Sequence, residues 1–464
     1  MNTGETPDSD ILIKINSNSA DKIFSELYGE NNIESARRRY AALINEMQNG
    51  SFPEAELRYA ERGSSGNLRV FSAPGRTELV GNHTDHNRGK VLAASVQLDC
   101  IAIVQKRNDN IVFLRSEGFP DVKVKLTDVN GAPDLQPKPE EKETTAAIIR
   151  GIAAELNRRG RSTGGFSANA ASGVFPGSGL SSSAAIEVLI GRIFDSLYNH
   201  GKPGLTSLEI AQIGQIAENI HFGKPCGLMD QTACSTGGAV AIDFKDVNNP
   251  LVTQVNFDLS AAGYALCVVN TGGSHADLTA DYAAIPKEMK SVAAFFNKQV
   301  LRELDKETVL SRAAEIRKEK GDRALLRSFH FFDENTRVDV MTKALTDMES
   351  TAATTAKQEV LNRFMDLANE SGDSSWELLQ NVYTSANPES QGVSIALALS
   401  RDFFRRKNLR GVCRVHGGGF AGTIQAYVPL DAVDEYRANM EAVFGKGAVT
   451  PLRIRSVGAV ELVF

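Results

Sequence analysis

The segment Gly75–His86, GRTELVGNHTDH, brings Arg76, Glu78, His83, Asp85 and His86 into one short stretch. Three chemistries fit such a set. Two histidines three apart with an aspartate between them can ligate zinc. A carboxylate in such company can act as a nucleophile centre. The same groups can also grip a hydroxyl-rich ligand through hydrogen bonds.

A second stretch, GVFPGSGLSSSAA at Gly173–Ala185, offers different chemistry. Small residues at the start of an apolar-periodic helix expose backbone N–H groups to an anion, and the helix dipole favours negative charge there. Serine hydroxyls at that point can donate to phosphate or ligate Mg²⁺, which prefers oxygen. No Gly-Lys-Ser/Thr follows, so the stretch is not a Walker A loop, and its spacing is not that of a dinucleotide-binding loop. The plain alternative is a turn followed by a serine-capped helix. A third stretch, HGGGFAGT at His416–Thr423, reads as a strand–loop–strand turn whose glycines admit close backbone approach.

These stretches need elements to hold them. The 464 residues exceed one compact core, so two domains or two joined lobes are expected. Composition is 42% hydrophobic and 23% charged, ordinary for a soluble globular chain. A net charge of −6 argues against general nucleic-acid or membrane-surface binding. No apolar run is long enough to span a bilayer, and ILI at Ile11–Ile13 is too short for a signal-peptide core. The five cysteines, Cys100, Cys226, Cys234, Cys267 and Cys413, form no CxxC pair, which predicts reduced thiols and a cytoplasmic location.

NIESARRRYAALINEMQ, TTAAIIRGIAAELNRRG, SSSAAIEVLIGRIFDSLYNHG and SLEIAQIGQIAENIHFG carry helical apolar periodicity. LRVFSAP and KVLAASVQLDCIAIVQK read as strands, the latter with Val96, Leu98, Cys100, Ala102 and Val104 on one face. A long helical stretch is expected from about 277 to 370, and TPLRIRSVGAVELVF reads as a closing strand. Helices mixed with antiparallel-looking strands predict an α+β architecture in two lobes, with a boundary near Asn249.

The three stretches, in this order, resemble the galactokinase branch of the GHMP small-molecule kinases. PGRTELVGNHTDHNRGKVLAA resembles the galactokinase signature, GSGLSSSAA the family's phosphate loop, and HGGGFAGT its third, glycine-rich motif. FSELYGE, AENIHFGKPCGLMDQ, RSFHFFDENTRV and VGAVEL fit the same branch.

The resemblance implies a two-lobed α+β GHMP kinase fold with mixed sheets, lobes at 1–249 and 250–464, and an active site in the cleft between them. It implies transfer of the ATP γ-phosphoryl to the anomeric C1 hydroxyl of D-galactose, giving α-D-galactose 1-phosphate and ADP, as in galactose metabolism. Asp230 matches the catalytic carboxylate and Arg76 the catalytic arginine. Asn82, His83, Asp85, Gly227 and Tyr282 match sugar-binding positions. Gly177, Ser178, Gly179, Leu180, Ser181, Ser182 and Ser183 match the phosphate loop, with Gly417, Gly418 and Gly419 forming a second backbone segment against the site. Mg²⁺ would be held by Ser183 and Glu218.

Departures from the family pattern bear on specificity. Asn82 stands where Glu is usual, Glu78 where Asn is usual, and His86 where Tyr is usual, so His86 receives no catalytic role. Ala421 replaces a glycine of the third motif, the phosphate-loop proline is displaced by one place to Pro176, and 33–66 reads as added length. A sister kinase acting on galacturonate, N-acetylgalactosamine or arabinose, and a non-catalytic sugar and ATP sensor, remain as alternatives. Oligomeric state is left open.

Overall fold

A computed structural model describes residues 9–58, 68–174, 179–199, 204–273, 278–350 and 354–464. Along the chain, α1 (Ser9–Ile15), α2 (Asn18–Tyr28), α3 (Ile33–Gln48) and α4 (Glu54–Leu57) precede β1 (Arg69–Val80), β2 (Lys90–Lys106), β3 (Ile111–Ser116) and β4 (Val122–Lys125). Next come α5 (Thr145–Arg158), β5 (Phe166–Ser172), α6 (Ser182–Tyr198), α7 (Ser207–Ile216), a π-helical turn (Ala217–Phe222), α8 (Met229–Thr236), β6 (Ala239–Asp243), β7 (Leu251–Val255) and β8 (Tyr264–Asn270). The later part holds α9 (Thr279–Phe295), α10 (Lys306–Ser311), α11 (Ala313–Lys320), α12 (Asp322–Ser350), α13 (Thr354–Ser374), α14 (Gly392–Arg406), β9 (Val412–His416), β10 (Thr423–Pro429), α15 (Val433–Phe444), β11 (Val449–Leu452) and β12 (Val460–Leu462).

The fold is α+β with mixed sheets, as the sequence predicts. The first sheet runs β12-β1-β2-β5-β3-β4, with β6 joining β2 and β7 joining β6. Among the described residues only β3 and β5 run parallel. The long β2 pairs with β6 through Lys90–Ala94 and with β5 through Cys100–Lys106. The second sheet runs β11-β8-β10-β9. β7 and β12 both follow residue 249 yet belong to the first sheet, so a cut there separates the two sheets only in part.

Both faces of the first sheet are covered. Phe71, Ala102 and Val104 pack with α5 and α6, while Val70, Ile101 and Ile103 pack with α2 and α3. Period-2 alternation therefore sends neighbouring strand residues into two different cores. The sequence reading saw one apolar face on β2; the added N-terminal helices supply the second. Asp99 points to that second face. It is buried, accepts hydrogen bonds from Tyr28 Oη (2.6 Å) and Ser72 Oγ, and pairs with Arg39 and Arg455 at 3.0 Å each.

The closing segment forms two short strands in different sheets rather than one. Buried Arg455 lies between them and ties the break to Asp99 and to the carbonyls of Val457 and Gly458. A third core joins the lobes. Leu79, Val80, Leu92 and Leu180 pack against Leu266 and Tyr427 of the second sheet and Met341 and Phe364 of α12 and α13.

Candidate active site

Arg76 lies in β1 between two register irregularities, at Pro74/Arg76 and at Glu78/Val80. Such bulges bend a strand and re-aim its side chains. Arg76 Nε and Nη2 each donate to one carboxylate oxygen of Asp230 at 2.7 Å, a fork-to-fork pair. Nη1 donates to the Gly179 carbonyl at 2.5 Å, and the backbone N–H of Arg76 donates to the Leu180 carbonyl at 3.0 Å. The first motif thus clamps the phosphate loop and the α8 aspartate together.

Asp230 sits in the first turn of α8 and also accepts a hydrogen bond from Ser181 Oγ. Burial pushes its pKa up, but the Arg76 charge, the Arg76 hydrogen bonds and the Ser181 hydroxyl outweigh that, and the carboxyl lies below its ordinary range. Its side chain keeps 31% exposure, against 8% for Arg76, so the carboxylate stays open to solvent. Ser181 does not cap α6 as a serine at that point would be expected to. It adopts φ +59°, and its hydroxyl goes to Asp230. A non-glycine residue in the left-handed region is strained, and such strain gathers at functional sites.

Gly179 is placed by its carbonyl bond to Arg76, and Leu180 is an anchor whose side chain enters the lobe-joining core. Ser182 and Ser183 open the first turn of α6, with Ser183 exposed. Gly177 and Ser178 lie outside the described residues.

Asp85 follows on the loop after β1. It packs against Gly227 so closely that a Cβ at 227 would overlap its Oδ2, so a larger residue there would displace the Asp85 carboxylate. Gly227 precedes Asp230 by one turn of chain, which links the Asp85 carboxylate to the Arg76–Asp230 pair. His83 Nε2 donates to the Gly418 carbonyl at 2.9 Å, and burial lowers its pKa to about 4, so it is neutral near pH 7. Tyr282, near the start of α9, donates to the Gly419 carbonyl at 3.2 Å and packs edge-on against Phe420. A Cβ at 419 would overlap the Asn381 carbonyl oxygen, so that position requires glycine.

Asn82 is buried. Its Nδ2 donates to Gly417 O (2.9 Å) and Glu78 Oε2 (3.2 Å), and its Oδ1 accepts from Asn381 Nδ2 (2.8 Å). Both amide hydrogens are thereby used, one within the first motif and one joining it to the third. Glu78 in turn pairs with buried Arg414 at 2.8 Å. His86 is exposed, 3.8 Å from Asp85. Among the described residues no group of three or more His, Cys, Asp or Glu is arranged to hold a metal ion.

Glu218 lies on the π-helical turn, a widened turn often found at functional sites. Its Oε1 faces the Lys224 ammonium at 3.2 Å, and its Oε2 accepts from Gln231 Nε2 at 3.1 Å. Gln231 Nε2 also donates to Glu187 Oε2 at 2.9 Å. Burial, then the nearby Glu218, push the Glu187 pKa well up. Sequence reasoning missed Gln231, Glu187, His416 and Asn381. His416 pairs with Thr77 (3.0 Å) and Thr423 (3.1 Å) beneath the phosphate loop; its place at the head of HGGGFAGT was the available signal.

The fold and this meeting of three motifs define a small-molecule kinase of the GHMP class. The family model for the GHMP kinases N terminal domain matches residues 147–238, and that for the galactokinase galactose-binding signature matches residues 58–106. A Streptomyces coelicolor galactokinase is 34% identical over 58% of this chain and 67% of its own length. A Clostridium tetani galactokinase is 30% identical over 64% of this chain and 73% of its own. The crystal structure of Lactococcus lactis galactokinase complexed with galactose superposes with a TM-score of 0.68 at 24% identity, covering 96% of this chain and 99% of that one. The chain belongs to the galactokinase family and is a sugar kinase. Among the described residues no helix is long and apolar enough to cross a membrane, and all five cysteines are free thiols.

Proposed function

We propose that the protein transfers the γ-phosphoryl of ATP to the C1 hydroxyl of D-galactose, giving α-D-galactose 1-phosphate and ADP. The observation that carries this reading is the bidentate Arg76–Asp230 pair, held at the phosphate loop and one chain turn from the Asp85–Gly227 contact. Phosphoryl transfer asks a protein mainly to position groups and stabilise charge. Asp230 accepts the hydrogen bond of the C1 hydroxyl and aims its oxygen at the phosphorus. A carboxylate held below its ordinary pKa is a weak base, so orientation comes first and the proton leaves late in the transfer. Arg76 keeps Asp230 ionised and offers its remaining N–H groups to the transferring phosphoryl. Asp85 accepts two sugar hydroxyls, with His83, Asn82, Gly227 and Tyr282 shaping its surroundings. The backbone amides of 177–183 and Gly418–Gly419 cradle the phosphates.

Ser183 and Glu218 would hold Mg²⁺. Ser183 offers an exposed hydroxyl of the kind a hard cation takes, while Glu218 would exchange its Lys224 or Gln231 partner for the ion. When bound, the ion neutralises phosphate charge. The free thiols support a cytoplasmic location.

A second reading, wider acceptance at sugar C6, is favoured by one feature. The carboxylate at 78 is buried against Arg414, and position 82 carries an amide, so neither presents free negative charge to a uronic acid. ADP release with Mg-ATP, measured against galactose, galacturonate, N-acetylgalactosamine, arabinose and glucose, tests both. Highest kcat/KM with galactose is expected. Turnover of galacturonate without galactose would overturn the assignment, and binding of sugar and ATP without ADP release would identify a sensor.

A further inference from the structure

The loop from Gly81 to Lys90 carries His83 and Asp85, yet it is held by the far lobe. Glu334 Oε2 on α12 accepts the backbone N–H of Gly81 at 2.7 Å and of Asn82 at 3.3 Å. One helical turn earlier, His330 Nε2 donates to the Asn82 carbonyl at 2.9 Å. At the other end of the loop, Asn335 Oδ1 accepts the Lys90 N–H at 2.6 Å. Positions 330 and 334 share a helix face, and 335 lies beside it, so one stretch of α12 grasps both ends of the loop.

The clasp is itself fixed. Glu334 is fully buried, with Oε1 paired to Arg337 Nε (2.6 Å) and Oε2 also accepting Ser371 Oγ (3.0 Å). Burial raises its pKa, but the charges of Arg337, His330 and Arg414 lower it further, to about 2, so the carboxylate is ionised. His330 Nδ1 is held by Ser374 Oγ at 2.8 Å. An ionised carboxylate accepting two consecutive backbone N–H groups is a strong, directional anchor.

We propose that Glu334, with His330 and Asn335, forms a set of positioning residues for the sugar: the α12 clasp fixes the 81–90 loop so that Asp85 meets the acceptor. This rests on the reading of Asp85 as a sugar ligand. The described residues of the phosphate loop bond to Arg76 and Asp230, so loosening the clasp is expected to act on sugar affinity and not on ATP.

The test compares Glu334→Gln, Asn335→Ala and Asp85→Ala in the full-length protein, with KM for galactose, KM for ATP and kcat measured for each. Each clasp variant should raise the galactose KM by about tenfold, as expected for loss of a hydrogen bond to a charged or buried group, and leave the ATP KM within about twofold. An unchanged ATP KM also shows that the variant is folded. If Asp85→Ala raises the galactose KM and neither clasp variant does, the proposal fails while the site reading stands. If Asp85→Ala leaves the galactose KM unchanged, the site reading fails and the proposal with it. Equal loss toward both substrates in the clasp variants would mean a general structural role and would overturn the proposal. Glu334→Gln keeps an acceptor for the Gly81 N–H, so it should lose less than Glu334→Ala; the reverse order also counts against the clasp.

Discussion

The two halves of the site are built on different principles. On the phosphoryl side, side chains hold one another: Arg76 forks onto Asp230, and Ser181 adds a third bond to the same carboxylate. On the acceptor side, side chains hold backbone: Glu334 and Asn335 take the N–H groups of Gly81 and Lys90, and His330 takes the Asn82 carbonyl. In the proposed mechanism the first arrangement sets charge where negative charge shifts during transfer. The second sets the shape of a loop. Damage to the first should appear in kcat, and damage to the second in the KM for sugar.

Arg76→Lys should produce the largest separation between the two sides. It keeps the charge but loses the planar fork, and kcat should fall about 100-fold with the galactose KM little changed. A rise in galactose KM equal to the fall in kcat would erase the distinction.

Acid should loosen both sides together through His416, which touches Thr77 beside Arg76 and Thr423 beyond the glycine loop. Burial, with Arg76 and Arg414 nearby, lowers its pKa from 6.5 to about 3. The unfolded chain therefore binds a proton between these values that the folded chain refuses. Stability from this group is complete above pH 6.5 and is lost as pH falls toward 3. Between pH 6.5 and 5 the loss is about 2 kcal/mol. Urea unfolding at pH 7 and pH 5 should show it, and His416→Gln should flatten the dependence.

Ser181→Ala removes one bond to an ionised carboxylate and should lower kcat by about tenfold, with the galactose KM unchanged. Tyr282→Phe is the mildest change. It keeps the packing on Phe420 and loses a 3.2 Å hydrogen bond, so the galactose KM should rise by about threefold or less. A larger effect would mean that the Tyr282 hydroxyl contacts the sugar directly.

The same division explains what could be read from sequence. Arg76 and Asp230 are 154 positions apart, yet each lies in a motif whose residue types announce charge chemistry. The α+β class and most helices followed from apolar periodicity. Ser181 read as a phosphate-loop residue, with a serine-capped helix as the plain alternative for the stretch; neither says that its hydroxyl meets Asp230, which is a tertiary contact. Asn82 read as a sugar contact, but its amide hydrogens are taken by Glu78 and Gly417, a contact set by how the second sheet docks. Glu334 sits in a quoted segment, DENTRV, yet helical spacing alone does not say which loop its buried carboxylate meets. Backbone acceptors leave no mark on residue type. The second face of β2 was hidden for a related reason: the helical pattern of α2 and α3 does not say which sheet face they cover.

The central claim is that Asp230 orients the acceptor hydroxyl for transfer. The direct measurement is kcat for Mg-ATP and galactose in Asp230→Asn, with ATP affinity measured by calorimetry on the same protein. The amide keeps the size and loses the charge that Arg76 grips. A fall in kcat of about 10³-fold with ATP affinity retained is the expected result. A variant that binds ATP normally and keeps kcat within about tenfold of wild type would contradict the account.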